Sequence, residues 1–324
     1  MTVACRTTLS LLLTFAALPA GEPSLKVAYS DWPGWTAWEI AIQKGWFKEA
    51  GVDVEFVWME YGPSMEAFQA GKVDAVTVTN GDQLVMGAAG KASKGIVLTD
   101  YSNGNDMIVG KPGINSIKDL KGKKIGLELG LVEHLLLLKA LEANGMKESD
   151  VTIVSVPTND TPQTLASGQV DAIAAWYPVS GQALELVPGS KPLFTSKEVP
   201  GLIYDFTVVA TESLIKRKAD WQKFAAVWPK ITAFLADPKT RDDGIKIMAA
   251  RVNVSAEKYA KAMPGTMILD LAGNLKHFAK AEGLDSVYGS SKVANAFNVA
   301  NKVYEKVLNI EDFIDPSFIT AVKK

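Results

Sequence analysis

Gly71-Lys72-Val73-Asp74-Ala75-Val76-Thr77-Val78-Thr79 returns 97 residues later (Gly168 minus Gly71) as Gly168-Gln169-Val170-Asp171-Ala172-Ile173-Ala174-Ala175-Trp176. Each copy opens on a glycine suited to a tight turn. Each then runs through Val-Asp-Ala into a short apolar stretch, 75–79 and 172–176, with the length and content of a buried strand.

Outward from these copies the surroundings match as well. Before the first, Lys26-Val27-Ala28 opens a strand, a helix is expected over 34–50 ending at Gly51, 53–58 alternates like a second strand, and a helix is expected over 64–70. Before the second, Lys124-Ile125-Gly126 opens a strand, a helix is expected over 133–143 ending at Asn144-Gly145, 151–156 reads as a strand, and a helix is expected over 161–166. Gly51 and Gly145 stand where a helix turning into the left-handed region favours glycine. The offset from Lys26 to Lys124 is 98 and from Asp74 to Asp171 is 97. A constant offset across several elements marks an internal repeat. Strands alternating with helices predict parallel βαβ units. The expected fold class is therefore α/β, with two doubly wound lobes. After Thr207 the pattern turns helical, over 220–236, 242–250, 255–261, 271–280 and 290–308, and this tail is expected to pack on the first lobe.

The 324 residues suffice for about two domains. A net charge of −2 and the lack of any Lys/Arg cluster along a helix face argue against a nucleic-acid surface. Residues 1–20 read as a signal peptide: Arg6 is followed by the apolar run 9–20, which is too short to span a bilayer. The single cysteine, Cys5, precedes that run and so is not placed as a lipidation site. The chain from Gly21 on has no thiol, which excludes disulfides, Cys-ligated zinc and cysteine catalysis there.

Four segments carry a family resemblance: Gly-Trp-Phe-Lys-Glu-Ala-Gly-Val-Asp-Val at 45–54, Ala-Gly-Lys-Val-Asp-Ala at 70–75, Ile-Lys-Asp-Leu-Lys-Gly-Lys-Lys-Ile-Gly at 117–126, and Ala-Ser-Gly-Gln-Val-Asp-Ala-Ile-Ala-Ala-Trp at 166–176. In this order they resemble the periplasmic substrate-binding proteins of nitrate, sulfonate and taurine ABC importers, and the chain looks like the guanidine- or urea-associated branch. The resemblance implies a type II periplasmic binding protein fold, with lobe one from 25–105 plus 207–324, lobe two from 106–206, and crossovers near 105–109 and 205–209. It further implies a periplasmic, non-enzymatic, monomeric protein that delivers a small molecule to a membrane permease, with no cofactor, metal or nucleic acid.

Ligands of open α/β sheets sit beyond the carboxyl ends of the strands. Those ends hold Asp31, Trp32, Trp35, Asn80, Asp82, Asp106, Glu128, Glu133, Trp176, Tyr177 and Asp205. The set has six acids, four aromatic rings and no Lys or Arg. Each acid has a local reading too, Asp31 and Asp82 as helix N-caps and Glu133 as a first-turn acid. Like charges gathered in one cleft repel, and a bound cation relieves them. Carboxylates also pair with planar guanidinium-like groups, and rings offer their faces to cations. Sulfonate-type relatives place hydroxyls at the helix start after the first strand of the second lobe, whereas here the stretch reads Gly130-Leu131-Val132-Glu133-His134. The expected ligand is a small, nitrogen-rich, guanidinium-like cation. The alternatives are a sulfonate, taurine or nitrate binder and, further off, a pyrimidine-synthase-like enzyme of thiamine biosynthesis. The enzyme is disfavoured by the missing cysteine motif and by having only His134 and His277, read as structural. Trp38, Trp46 and Trp58 are expected in the core.

Overall fold

A computed structural model describes residues 23–322, so the segment read as a signal peptide lies outside the described residues. The described chain forms eleven strands: β1 Leu25–Tyr29, β2 Val54–Trp58, β3 Ala75–Thr79, β4 Ser93–Ser102, β5 Asp106–Gly110, β6 Lys124–Leu127, β7 Thr152–Ser155, β8 Ala172–Trp176, β9 Lys191–Thr195, β10 Tyr204–Ala210 and β11 Thr266–Ile268. They make two sheets, ordered β11-β4-β10-β3-β1-β2 and β7-β6-β8-β5-β9.

The repeat is real at the level of atoms. Within each lobe a strand, its follower and the Val-Asp-Ala strand are parallel and adjacent, as β2-β1-β3 and as β7-β6-β8. The repeated aspartates do the same work: Asp74 accepts the backbone N–H of Lys26, and Asp171 that of Lys124, both at 2.9 Å. Asp171 also pairs with Lys111. The Val-Asp-Ala motif thus stitches strand to strand at their amino ends.

The expected parallel units are present, but each sheet is mixed. β10 lies between β3 and β4 and runs antiparallel to both, and β5 does so between β8 and β9. The cause is connectivity. β5 and β10 arrive from the other lobe, entering their sheets at the carboxyl ends of the parallel strands, and so must run backwards. The chain leaves the first sheet after Ser102 and enters the second at Asp106; it leaves the second after Thr195 and re-enters the first at Tyr204. Residues 205–209, expected as the return crossover, are strand within the first sheet, and 106–109 of the expected first crossover are strand within the second. The two crossovers are laced together: Ser196 Oγ accepts from Gly104 N at 2.7 Å and lies 2.6 Å from Ser102 Oγ.

Helix limits differ where backbone geometry intervenes. The helix expected over 34–50 is three short ones, Pro33–Thr36, Trp38–Lys44 and Trp46–Glu49, and the last break is Gly45, at φ 72°. The last long helix stops at Ala300, followed by Asn301 and by Lys302 at φ 59°.

In the first lobe Trp38 packs 4.7 Å from Phe224 and from Trp228, joining the tail helices to the amino-terminal strands. Asn274 of the tail accepts from Leu98 N and donates to Leu98 O, so it continues the sheet's own hydrogen bonding. The second sheet has a core on each face, because successive strand residues point to opposite sides. Ile108, Ala172 and Ala174 join Leu136, Leu137 and Leu141 on one; Val109, Ile173 and Ala175 join Leu165 and Val170 on the other. Trp46 is buried as expected, but Trp58 is 36% exposed, because β2 is an edge strand, and Arg251 lies 4.0 Å over its ring.

Candidate functional site

The carboxyl ends of the parallel strands face each other between the lobes. Asp31 follows β1, Asp82 lies in the first turn of the helix Asn80–Ala88 after β3, Glu128 follows β6, and Glu133 lies in the first turn of the helix Val132–Ala143. β5 and β10 begin there, so Asp106 and Asp205, one residue into their strands at most, join the same cleft.

Neither Asp31 nor Asp82 is an N-cap. Thr79 caps the Asn80–Ala88 helix by accepting from Asp82 N, and Trp32, with no side-chain cap, precedes Pro33–Thr36. Asp82 turns into the cleft, where Tyr61 Oη donates to it at 2.6 Å and Val132 N at 3.3 Å. Val132 is the first residue of its helix, so a carboxylate of the other lobe occupies that N-terminus, where exposed N–H groups favour anions. Asp31 accepts from Trp176 Nε1 at 2.9 Å, a second contact between lobes. Glu128 accepts from Thr158 Oγ1 at 2.9 Å and closes on Gly62, where a Cβ would stand 2.7 Å from Glu128 Oε1.

The carboxyls of Asp106 and Glu133 lie close enough to act on each other's charge. Asp106 Oδ2, both Glu133 oxygens and Asp205 Oδ2 are buried without a hydrogen-bonding donor. Asp205 stands opposite a residue that the sequence reading passed over, Asp100 of β4. Asp100 is fully buried, accepts from Trp32 Nε1 and Thr99 Oγ1 at 2.8 Å each, and packs on Gly34, where a Cβ would lie 1.6 Å from Asp100 Oδ2. Only glycine at 34 leaves room for it. The available signal was an acid inside the apolar run Ile96-Val97-Leu98-Thr99-Asp100.

Seven carboxyls therefore gather: Asp31, Asp82, Asp100, Asp106, Glu128, Glu133 and Asp205. Burial is the main cause of their shared shift, because desolvation penalises the charged form. It pushes Asp31 and Asp106 to about 6 and Asp82 and Asp100 to about 7. Glu128 is raised, and Glu133 and Asp205 are raised well above the usual range by burial and then by neighbouring carboxylates.

The rings surround this cluster. Trp35 stacks on Tyr61 at 5.3 Å, and Trp176 meets Tyr61 edge-on at 5.2 Å. Trp35 Nε1, Tyr177 Oη and Ser30 Oγ are buried without partners. Asn80 is otherwise committed: its amide donates to Ser290 and Ser291 and its oxygen accepts from Tyr204 N. The histidines lie in local contacts. His134 Nδ1 accepts from Gly130 N at 3.3 Å, and His277 Nδ1 contacts Tyr204 Oη and Asp285 O. Among the described residues no group of three or more His, Cys, Asp or Glu side chains is arranged to hold a metal ion, and no helix is long and apolar enough to cross a membrane.

Comparison with known proteins places this architecture. A putative binding protein of Brucella abortus is 33% identical over 199 residues, 60% of this chain and 61% of that relative, so the chain matches about three fifths of its length. A putative aliphatic sulfonates-binding protein of Bacillus subtilis is 27% identical over 290 residues, 86% of this chain and 82% of the relative. The arginine-binding extracellular protein ArtP of the same organism is 29% identical over 147 residues, 44% of this chain and 54% of the relative. Among solved structures, the alkanesulfonate-binding protein SsuA of Xanthomonas axonopodis pv. citri superposes with a TM-score of 0.73 at 19% identity, covering 91% of this chain and 99% of that one. The periplasmic nitrate-binding protein NrtA of Synechocystis superposes with 0.75 at 12% identity, covering 92% and 88%. These superpositions establish the periplasmic-binding-protein fold, with two α/β lobes. The model of the family described as NMT1/THI5 like matches residues 32–240, more than half of the chain, and the chain belongs to that family.

Proposed function

We propose that this protein is the extracytoplasmic solute-binding component of an ABC importer, and that it closes its two lobes over a small, nitrogen-rich organic cation such as guanidinium for delivery to a membrane permease. The observation that carries the ligand class is the set of seven carboxyls between the lobes, whose charged neighbours are themselves acids, one another and, for Asp31 and Glu128, Glu60. A cation with several N–H donors satisfies the orphaned oxygens of Asp106, Glu133 and Asp205 at once. An anion adds to the repulsion. It also finds the helix N-terminus at Val132 already holding Asp82. ArtP, a relative named for arginine, has a ligand that itself carries a guanidinium group.

A second reading is a sulfonate or nitrate, favoured by the relatives' names and above all by the sulfonates-binding protein that aligns with 86% of this chain. No catalytic group is assigned. The cleft offers carboxyls and rings, but neither histidine is free of local partners.

Calorimetric titration of the purified protein with guanidinium chloride, taurine, an alkanesulfonate and nitrate separates the readings. The expected result is saturable binding of guanidinium alone, weakened about tenfold or more in Asp106→Asn, since ~1.4 kcal/mol is one decade and a charge-assisted bond contributes ~1.5–3 kcal/mol. Tight binding of taurine, sulfonate or nitrate without guanidinium overturns the cation reading in favour of the second.

A further inference from the structure

Two carboxyl pairs in the cleft have an arrangement that ligand binding alone does not require. Asp100 and Asp205 are direct cross-strand partners in the antiparallel pair β4–β10. Asp106, at the start of β5, meets Glu133 from the first turn of its helix. All four are at most 3% exposed. Asp100 has two protein donors, but Asp205 Oδ2, Asp106 Oδ2 and both oxygens of Glu133 have none.

Two carboxylates in contact, out of water, cannot both stay ionised at modest cost, and each such pair titrates as a unit that keeps one proton. The other groups that face them do not relieve this. Asp31 follows β1, Asp82 comes from the helix after β3, and Glu128 follows β6; all are acids. Tyr61, Tyr177 and Tyr259 are phenols pushed upward by burial, so they stay neutral. The imidazole next in sequence to Glu133, that of His134, turns to Gly130 N and Glu148 and is itself lowered by burial.

We propose that these two pairs make ligand capture a proton-for-cation exchange: a cation entering the cleft displaces a proton from a carboxyl pair, and the proton leaves to solvent. The proposal rests on the cationic reading given above and adds its regulation. The exchange balances. In each pair that reacts, one shared O–H···O contact is broken, N–H···O contacts from the ligand to the two carboxylates replace it, and one positive charge leaves for each that arrives. The net charge of the closed cleft is then the same before and after, so the ligand is not opposed by the low dielectric that raised the acids.

Proton release makes affinity depend on pH. Apparent affinity for the cation rises with pH, by up to about tenfold per pH unit for each proton released, while the pairs titrate.

The test is calorimetry with guanidinium chloride in phosphate and in Bis-Tris at pH 6.5, and in borate and in Tris at pH 8.5. These buffers differ in ionisation enthalpy, so the difference in observed heat counts protons. About one proton released per guanidinium bound is expected at pH 6.5, falling at pH 8.5, by the linkage between binding and protonation. Asp205→Asn and Asp106→Asn each remove one pair, and each should release fewer protons than the unaltered protein. If either variant does not fold, the unaltered protein at the two pH values still decides. Guanidinium binding with no proton release at either pH overturns the exchange and leaves the cation reading intact. If guanidinium does not bind while taurine or nitrate does, the cation reading fails and the exchange with it.

Discussion

Trp176 Nε1, at the end of β8 in one lobe, donates to Asp31 Oδ1, just beyond β1 in the other, at 2.9 Å. With Val132 N on Asp82, this bond joins the lobes through the same carboxyls proposed for the ligand. Closure and binding therefore draw on common atoms.

The first prediction concerns that bond. Trp176→Phe keeps a ring against Tyr61 but removes the indole donor. Loss of a bond to a buried carboxylate costs ~1.5–3 kcal/mol, so the guanidinium dissociation constant should rise by about one to two decades. Solution scattering should show a more open average shape in the liganded variant. Unchanged affinity with unchanged scattering would mean that the bond is incidental to closure.

Stability should fall as pH rises through the neutral range. Burial lifts Asp31 and Asp106 to about 6 and Asp82 and Asp100 to about 7, from an ordinary 3.8. The folded protein thus holds protons that the unfolded chain releases above about pH 4. The stability these acids contribute is full below that pH and is lost as pH climbs through about 6 to 7. His134 and His277, both lowered by burial, act in the opposite sense, gaining stability as pH rises through the ordinary histidine range. Two histidines oppose at least four acids. The melting temperature of the ligand-free protein should be lower at pH 8 than at pH 5, and guanidinium chloride at low millimolar concentration should raise it more at pH 8. A melting temperature that climbs steadily from pH 5 to 8 would contradict the account.

Asn274→Ala tests how the tail is held on the first lobe. The buried amide serves Leu98 N and O and also donates to Leu269 O. Its loss orphans buried backbone groups of β4 at ~1–3 kcal/mol each, so a destabilisation of about 2–4 kcal/mol is expected in denaturant melts. An exposed control such as Lys276→Ala should change stability by less than about 0.5 kcal/mol.

The parts of the fold that depend on local pattern could be read from the chain. β3, β8 and the helix Thr161–Ala166 fall where apolar runs and turn glycines put them. The antiparallel insertions of β5 and β10 could not, because strand direction there is set by the chain crossing between lobes, a non-local fact. For the same reason the return crossover ends before Tyr204 rather than running to 209. The acids at strand ends were legible because topology exposes those ends. Asp100 was missed because it sits inside a strand, and only the placement of Gly34 shows that its carboxyl has a specific seat. Trp58 looked like core because alternation marks a strand without saying whether that strand lies at an edge.

The lacing of the crossovers through Ser102 and Ser196 sets a mechanical limit. Asp106 begins the strand that follows one crossover, its N–H directed to Ser102 Oγ at 3.4 Å, and Asp205 is the second residue of the strand that follows the other. In any rotation of one lobe about the other, displacement grows with distance from the fulcrum, and these two acids sit beside it. Their lever arm is short. Asp31 lies beyond β1, which β3 separates from β10, so it has a longer arm, and its bond to Trp176 is the one that opening breaks. The charge at the fulcrum therefore governs what can occupy the cleft rather than how far it opens, and the outer contacts report whether the jaws have shut.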